Sequence, residues 1–381
     1  MIDRLWTTII TMKLLLALLT GMLGGVALFA QSPGVIDTHN DVTSRTLEGE
    51  DIGVKTSKGH TDVPRMREGG VTATFFAVYV GSQYVKDNKS AHRALEMIDT
   101  VRYDIVQKHA RDFQLAFSAA DITAANKKHK IAALMGLEGG HAIEDSLRLL
   151  RDYYALGIRY MTLTHTNTNG WADSSGDITD NKIQHHNGLT PFGREVIAEM
   201  NRLGMIVDVS HVADKTFWDV LEVSRVPVFA SHSSCRALSN IPRNMTDEMI
   251  VALAKKGGVV QLNFGCEFLS QKSADTSSWS NPKLKDQKPP AVPTRATLDD
   301  VVAHIEHVRK IAGIDAVGIG SDFDGVECTP VGLDDVSKFP ALTRALKAKG
   351  FKDADIRKIY GGNVLRVMRA VEKGAATRGG N

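Results

Sequence analysis

The chain has 381 residues, of which 43% are hydrophobic and 24% charged, and its formal net charge is +2. That is material for one large core, since an α/β barrel needs roughly 250 residues and carries insertions without a second domain. The near-neutral charge, without a basic block or an interleaved aromatic stripe, argues against a nucleic-acid partner.

Arg4 and Lys13 precede an uncharged apolar stretch from Leu14 to Ala30, and Gln31-Ser32-Pro33-Gly34 then turns polar. This order predicts a secretory signal peptide over residues 1–30, cleaved after Ala30, with Met12 as an alternative start. Leu28 occupies a position where cleavage sites prefer a small residue. An uncleaved membrane anchor is therefore the competing reading, because about 17 apolar residues just reach across a bilayer. Either way the domain over 31–381 is expected to work outside the cytoplasm, as a periplasmic or secreted protein. Removal of Asp3, Arg4 and Lys13 leaves a mature charge near +1.

Short apolar runs then recur at 35–39, 71–80, 131–137, 158–164, 205–210, 227–231, 258–264 and 316–321. Helical patterns separate them, at Ala91 to Lys108, Asp145 to Leu156, Pro191 to Leu203, Asp214 to Val223, Asp247 to Lys256 and Leu298 to Ala312. Gly157, Gly204, Gly257 and Gly313 close helices just before strands. Runs apolar throughout, rather than alternating, belong to strands covered on both faces, as in a parallel sheet. Eight such strands with helices between them predict an α/β fold of the (β/α)8 TIM-barrel type. An open doubly wound sheet would gather its ligands at one switch point instead. Two stretches, Thr166 to Leu189 and Gly265 to Thr297, exceed simple connections and are expected to overhang the C-terminal face.

The runs end on titratable residues. His39 and Asp41 close the first, Glu138 the third, His165 the fourth, His211 the fifth, His232 the sixth and Asp322 the last. In a barrel those ends form one rim. In an extended chain, i and i+2 point the same way, so His39 and Asp41 reach one ion. Gly139-Gly140 after Glu138 allows a close backbone approach. Three histidines and two carboxylates exceed the needs of one tetrahedral catalytic zinc with an open position. Two ions sharing Glu138 fit the count: His39, Asp41 and Glu138 on one, Glu138, His211 and His232 on the other. Nitrogen and oxygen ligands admit zinc, cobalt or manganese, and zinc is the default outside the cytoplasm. Cys235, Cys266 and Cys328 do not follow zinc-site spacing; an oxidising compartment would permit one disulfide and leave an odd thiol, and buried, unpaired thiols are the default expectation.

The motifs Ile36-Asp37-Thr38-His39-Asn40-Asp41, Gly136-Leu137-Glu138-Gly139-Gly140-His141, Leu163-Thr164-His165-Thr166-Asn167, Asp208-Val209-Ser210-His211, Ser231-His232-Ser233-Ser234, Arg243-Asn244, Gly320-Ser321-Asp322-Phe323-Asp324-Gly325 and Gly361-Gly362-Asn363-Val364-Leu365-Arg366 span nearly the whole mature chain. In that order they resemble the membrane (renal) dipeptidase family of amidohydrolase-like hydrolases. The resemblance implies a binuclear zinc barrel that cleaves dipeptides, with an L-residue first and an L- or D-residue second. The mammalian members are lipid-anchored and disulfide-linked. This chain shows no lipid-anchor signal, and a homodimer is left open.

A hydroxide held between two ions would be the nucleophile. His165 matches the family's substrate-contacting histidine and would donate a hydrogen bond to the oxyanion. Asp322 would move the proton to the leaving amine, with Asp324 as the other candidate and a turn cap as its expected role. Arg243 would grip the substrate's C-terminal carboxylate in two-pronged fashion, with Arg236 and Arg45 as substitutes. His141 is expected to support the site without ligating, His185-His186 to face solvent, and His304 with His307 to form a polar helix face. Trp171 reads as packing or as cleft lining. The rivals are an amidohydrolase acting on N-acyl amino acids, lactams or lactones, and a metal-free binding protein on a retired barrel.

Overall fold

The structure, a computed structural model, describes residues 34–278, 280 and 294–376. The expected signal peptide over residues 1–30 and part of the second long stretch lie outside those residues. Nine parallel strands carry the fold: β1 (Val35–Asn40), β2 (Val71–Tyr79), β3 (Phe113–Leu115), β4 (Ile131–Glu138), β5 (Ile158–Thr162), β6 (Ile206–Asp208), β7 (Phe229–Ser233), β8 (Val259–Leu262) and β9 (Val317–Ile319). Eight of them run in the order β1-β2-β4-β5-β6-β7-β8-β9, and β3, which the sequence pattern did not mark, pairs beside β4. The ring closes between β1 and the chain after β9: Asp41 N donates to Phe323 O at 2.9 Å and Asp322 N to His39 O at 3.1 Å. This is the (β/α)8 barrel expected.

Strand periodicity divides the core into two layers. In β4, Ile131, Ala133, Met135 and Leu137 join the outer layer under the helices. Ala132 and Leu134 point into the barrel with Phe75, Tyr160, Phe229 and Val259. Glu138 continues that even-numbered row, so period 2 alone aims it at the lumen. The C-terminal helix Asn363–Ala376 adds Val364, Val367, Met368 and Val371 to the inner layer. Gly136 is needed where it stands: a Cβ there would lie 1.9 Å from the Tyr160 ring.

The stretch 166–189 holds itself together through short-range polar contacts. Asp177 accepts from Thr168 N and Oγ1, Asp173 from His186 N and Gly188 N, and Asn169 from Trp171 N and Ala172 N. Trp171 is fully buried against Gly140 and Gly193, which settles its role as packing. His186 is exposed, as expected, whereas His185 is only half-buried and lies 3.7 Å from Asp177.

The cysteine expectation is corrected in part. Cys235 is a buried free thiol, but Cys266 and Cys328 form a disulfide across a Cα–Cα distance of 5.4 Å. It joins the segment after β8 to the segment after β9, neighbours in the barrel although 62 residues apart in sequence. His304 also departs from the polar-face reading. It is fully buried, with Cys235 N donating to its Nδ1 and Leu269 O facing its Nε2. The helix pattern showed its spacing but not the loop packed over it.

Candidate metal centre

Two irregular strand ends place the deepest histidines. The β1–β2 register shifts between Asp37 and Asn40, and the β7–β8 register between Ala230 and Ser233. Such bulges re-aim a side chain that regular alternation would send outward. His39 and His232 consequently stack at the barrel mouth, ring centroids 3.8 Å apart. His39 and Asp41 do converge, with Nε2 and Oδ2 3.2 Å apart. The cause is this bulge and the turn at Asp41, rather than simple i, i+2 alternation. His211 and Asp322 sit just past their short strands with φ of 66° and 59°. Backbone strain of this kind is usual where side chains must be held over a site.

Glu138 stands at the centre. Its Oε2 lies 3.4 Å from His39 Nε2, while its Oε1 lies 3.0 Å from His211 Nε2, 3.3 Å from His232 Nε2 and 3.7 Å from His165 Nε2. The two oxygens therefore face two different sets of ligand-type atoms. Asp322 Oδ1 is 4.0 Å from His39 Nε2, and its Oδ2 accepts from Asn263 Nδ2 at 2.7 Å. Ligand-type atoms fall into three overlapping groups, each within 4.8 Å: His39, Asp41 and Glu138; Glu138, His165 and His211; His39, His232 and Asp322.

The donor set fits cations. His39 Nε2 and Asp41 Oδ2 are buried without a hydrogen-bond partner among the described residues. His211 and His232 turn Nε2 atoms toward each other at 2.9 Å. Burial holds both of those imidazoles well below the ordinary histidine range, in the neutral form that ligates. Burial works against ionised Glu138, yet the imidazoles gathered around it, His39 and His165 foremost, hold its carboxyl well below the usual range. Burial, with Asp41 close by, holds the Asp322 carboxyl well above it.

Supporting residues that sequence reasoning did not single out lie beneath. Asp208 accepts from Ser210 N, Ser231 N, Thr162 Oγ1 and Ser231 Oγ, which uses the acceptor capacity of both its oxygens. Asp37 accepts from Ser321 N and Oγ, tying the Asp322 turn to β1. The burial of Asp208 and Asp37 in a polar motif was the available signal. Their partners were not.

Arg243 is buried, not a surface arginine. Its guanidinium donates to Ser233 Oγ at 2.8 Å and His232 O at 3.0 Å and lies 5.4 Å from the Phe268 ring. Burial pushes it down to about 10, which leaves it cationic at neutral pH. Arg236 is engaged by Asp214, and Arg45 by Glu50 and Asp324. Asp324 accepts from Arg45 Nε and from His60 N, so it anchors an earlier loop rather than capping the next turn. His141 is buried near the site but belongs to none of the ligand groups. A cleft of about 730 Å³ opens over the cluster, lined by Asp41, Tyr79, Glu138, His165, His211 and Asp322 among others.

A closed parallel barrel with histidines and carboxylates gathered at its C-terminal mouth has the architecture of a metal-dependent hydrolase. The chain belongs to the membrane dipeptidase family (peptidase family M19), whose model matches residues 26–379. It is 36% identical over 356 residues to an uncharacterized dipeptidase of Schizosaccharomyces pombe, covering 89% of this chain and 80% of that one. Its fold is similar to the probable dipeptidase PvdM of Pseudomonas aeruginosa, with TM-score 0.81 and 25% identity over 90% of this chain and 96% of that one. It is also similar to a metallopeptidase of Rhodobacter sphaeroides bound to a phosphinate mimic of L-Ala-D-Ala, with TM-score 0.76 and 28% identity over 89% of this chain and 99% of that one. The chain is a metallopeptidase of the dipeptidase type.

Proposed function

We propose that this enzyme is a binuclear zinc dipeptidase that cleaves dipeptides with an L-residue first and an L- or D-residue second. One observation carries the binuclear reading: the two oxygens of Glu138 face separate ligand sets, His39 with Asp41 on one side and His211 with His232 on the other. A carboxylate whose two oxygens are divided in this way would help hold an ion on each side. The Rhodobacter relative's L-Ala-D-Ala mimic supports tolerance of a D-residue at the second position.

Ions held there by His39, Asp41, Glu138, His211 and His232 would supply Lewis acidity and lower the pKa of water into the neutral range. As water adds to the peptide carbonyl carbon, Asp322 takes its proton and returns it to the amine nitrogen when the C–N bond breaks. His165 donates a hydrogen bond to the developing oxyanion. Burial holds its imidazole below the ordinary range, so it acts as a neutral donor. Arg243 binds the substrate's terminal carboxylate, and its Nε has no partner among the described residues.

The test is turnover by the zinc-loaded enzyme of a dipeptide, its C-terminal amide and its tripeptide extension. Losing a charge-assisted pair costs about 1.5–3 kcal/mol, roughly 10- to 150-fold. The amide and tripeptide should be poorer by that factor, and Arg243→Ala should erase the difference. Equal turnover of dipeptide and amide by the unaltered enzyme sinks the carboxylate role of Arg243, and hydrolysis of N-acyl amino acids or lactones alone would redirect the substrate class.

We also propose that the protein acts outside the cytoplasm after loss of residues 1–30. The Cys266–Cys328 disulfide supports this, because such bonds persist in oxidising compartments. Fractionation and N-terminal sequencing should find the exported protein starting at Gln31. A cytoplasmic, full-length product would refute it.

A further inference from the structure

We infer that two buried hydroxyls, those of Tyr160 and Ser231, are positioning groups that fix which nitrogen of His39 and of His232 carries the proton, and so aim both Nε2 lone pairs at the ions. This rests on the reading that both histidines are ligands.

The direction of each chain follows from its far end. Tyr160 Oη lies 2.7 Å from His39 Nδ1 and 3.1 Å from the Thr38 carbonyl oxygen. A carbonyl only accepts, so the phenolic proton goes to Thr38 and the phenol oxygen accepts from Nδ1–H of His39. Thr38 is itself pinned, because its Oγ1 donates to Ser231 O at 2.7 Å and Ile319 O at 3.1 Å. The second chain is longer by a charge. Ser231 Oγ lies 2.6 Å from His232 Nδ1 and 2.6 Å from Asp208 Oδ2. Three other donors already converge on Asp208, two backbone N–H groups and the Thr162 hydroxyl. Such a carboxylate takes the Ser231 proton, and Ser231 Oγ then accepts from Nδ1–H of His232.

In both cases Nδ1 carries a proton, and Nε2 is the nitrogen that would be left to a metal. The stacked pair therefore reaches the same tautomer by two unrelated routes, one ending on a neutral carbonyl and one on a carboxylate. Tyr160 is built into its place. It packs edge-on and tilted against Phe229 and Phe75, and Gly136 leaves room for its ring.

The experiment reads zinc release from the zinc-loaded enzyme to a competing chelator. Tyr160→Phe keeps the ring and removes only the hydroxyl. It should weaken one of two ions about 10- to 100-fold, the range for lost outer hydrogen bonds to a ligand. Ser231→Ala should do the same to one ion, and the double variant should weaken both. Phe75→Leu disturbs the same packing without touching either chain, so it should lower thermal stability and leave zinc affinity unchanged. The inference falls if Tyr160→Phe and Ser231→Ala hold both ions as tightly as the unaltered enzyme. It falls equally if Phe75→Leu weakens zinc as much as Tyr160→Phe does. An unaltered enzyme that takes up no zinc overturns the ligand reading itself, and this inference with it.

Discussion

Replacing Glu138 by alanine should strip both zinc ions together and abolish dipeptide turnover. Each Glu138 oxygen faces its own ligand set, so one substitution removes a donor from both. Without it, one site retains only His39 and Asp41 and the other only His211 and His232, two ligands each where catalytic zinc normally has three. Asp41 approaches the His39 side, and Asp41→Ala should empty mainly that site. Elemental analysis should find about two zinc ions per chain in the unaltered enzyme, close to none in Glu138→Ala and about one in Asp41→Ala, following the bridging count. Retention of one full ion by Glu138→Ala would show that the carboxylate does not bridge.

Asp322→Asn should leave the metal in place and slow turnover by about 10²–10⁴-fold, the usual contribution of a general acid–base group. The substitution suits the site. Asparagine tolerates the left-handed φ of 59° that Asp322 adopts, and its amide oxygen can still accept from Asn263 Nδ2. What it loses is the oxygen that accepts a proton. Asp322 also lies within ligand distance of His39 and His232, so zinc must be measured beside the rate. Loss of zinc in Asp322→Asn would make this residue a ligand. Asp324→Asn should act differently, because its carboxylate is committed to Arg45 and the His60 backbone. Its expected effect is on stability, with turnover per folded molecule nearly unchanged.

The strands and the residues at their ends were legible because both follow from local rules. A parallel strand covered on both faces must be apolar along its length, and the run stops where the barrel opens to solvent. The titratable residue at or just past that end is at the rim. This is why Glu138, His211, His232 and Asp322 could be picked from one sequence. The short β3 strand escaped because three residues, Phe113–Leu115, carry too little periodicity to stand out. The disulfide escaped for another reason. Whether Cys266 meets Cys328 depends on β8 and β9 being neighbours, which spacing does not encode.

By itself the sequence determined the strand and helix alternation, the barrel class and the kinds of titratable residue at the mouth, because hydrophobic period and chain order are properties of neighbouring residues. The tertiary structure decided how those side chains are aimed. Tyr160 reaches His39 across 121 positions, and Ser321 reaches Asp37 across 284. The bulges that turn His39 and His232 inward are register shifts against partner strands. Closing the ring decided these contacts, since each exists only where distant segments meet at bonding distance.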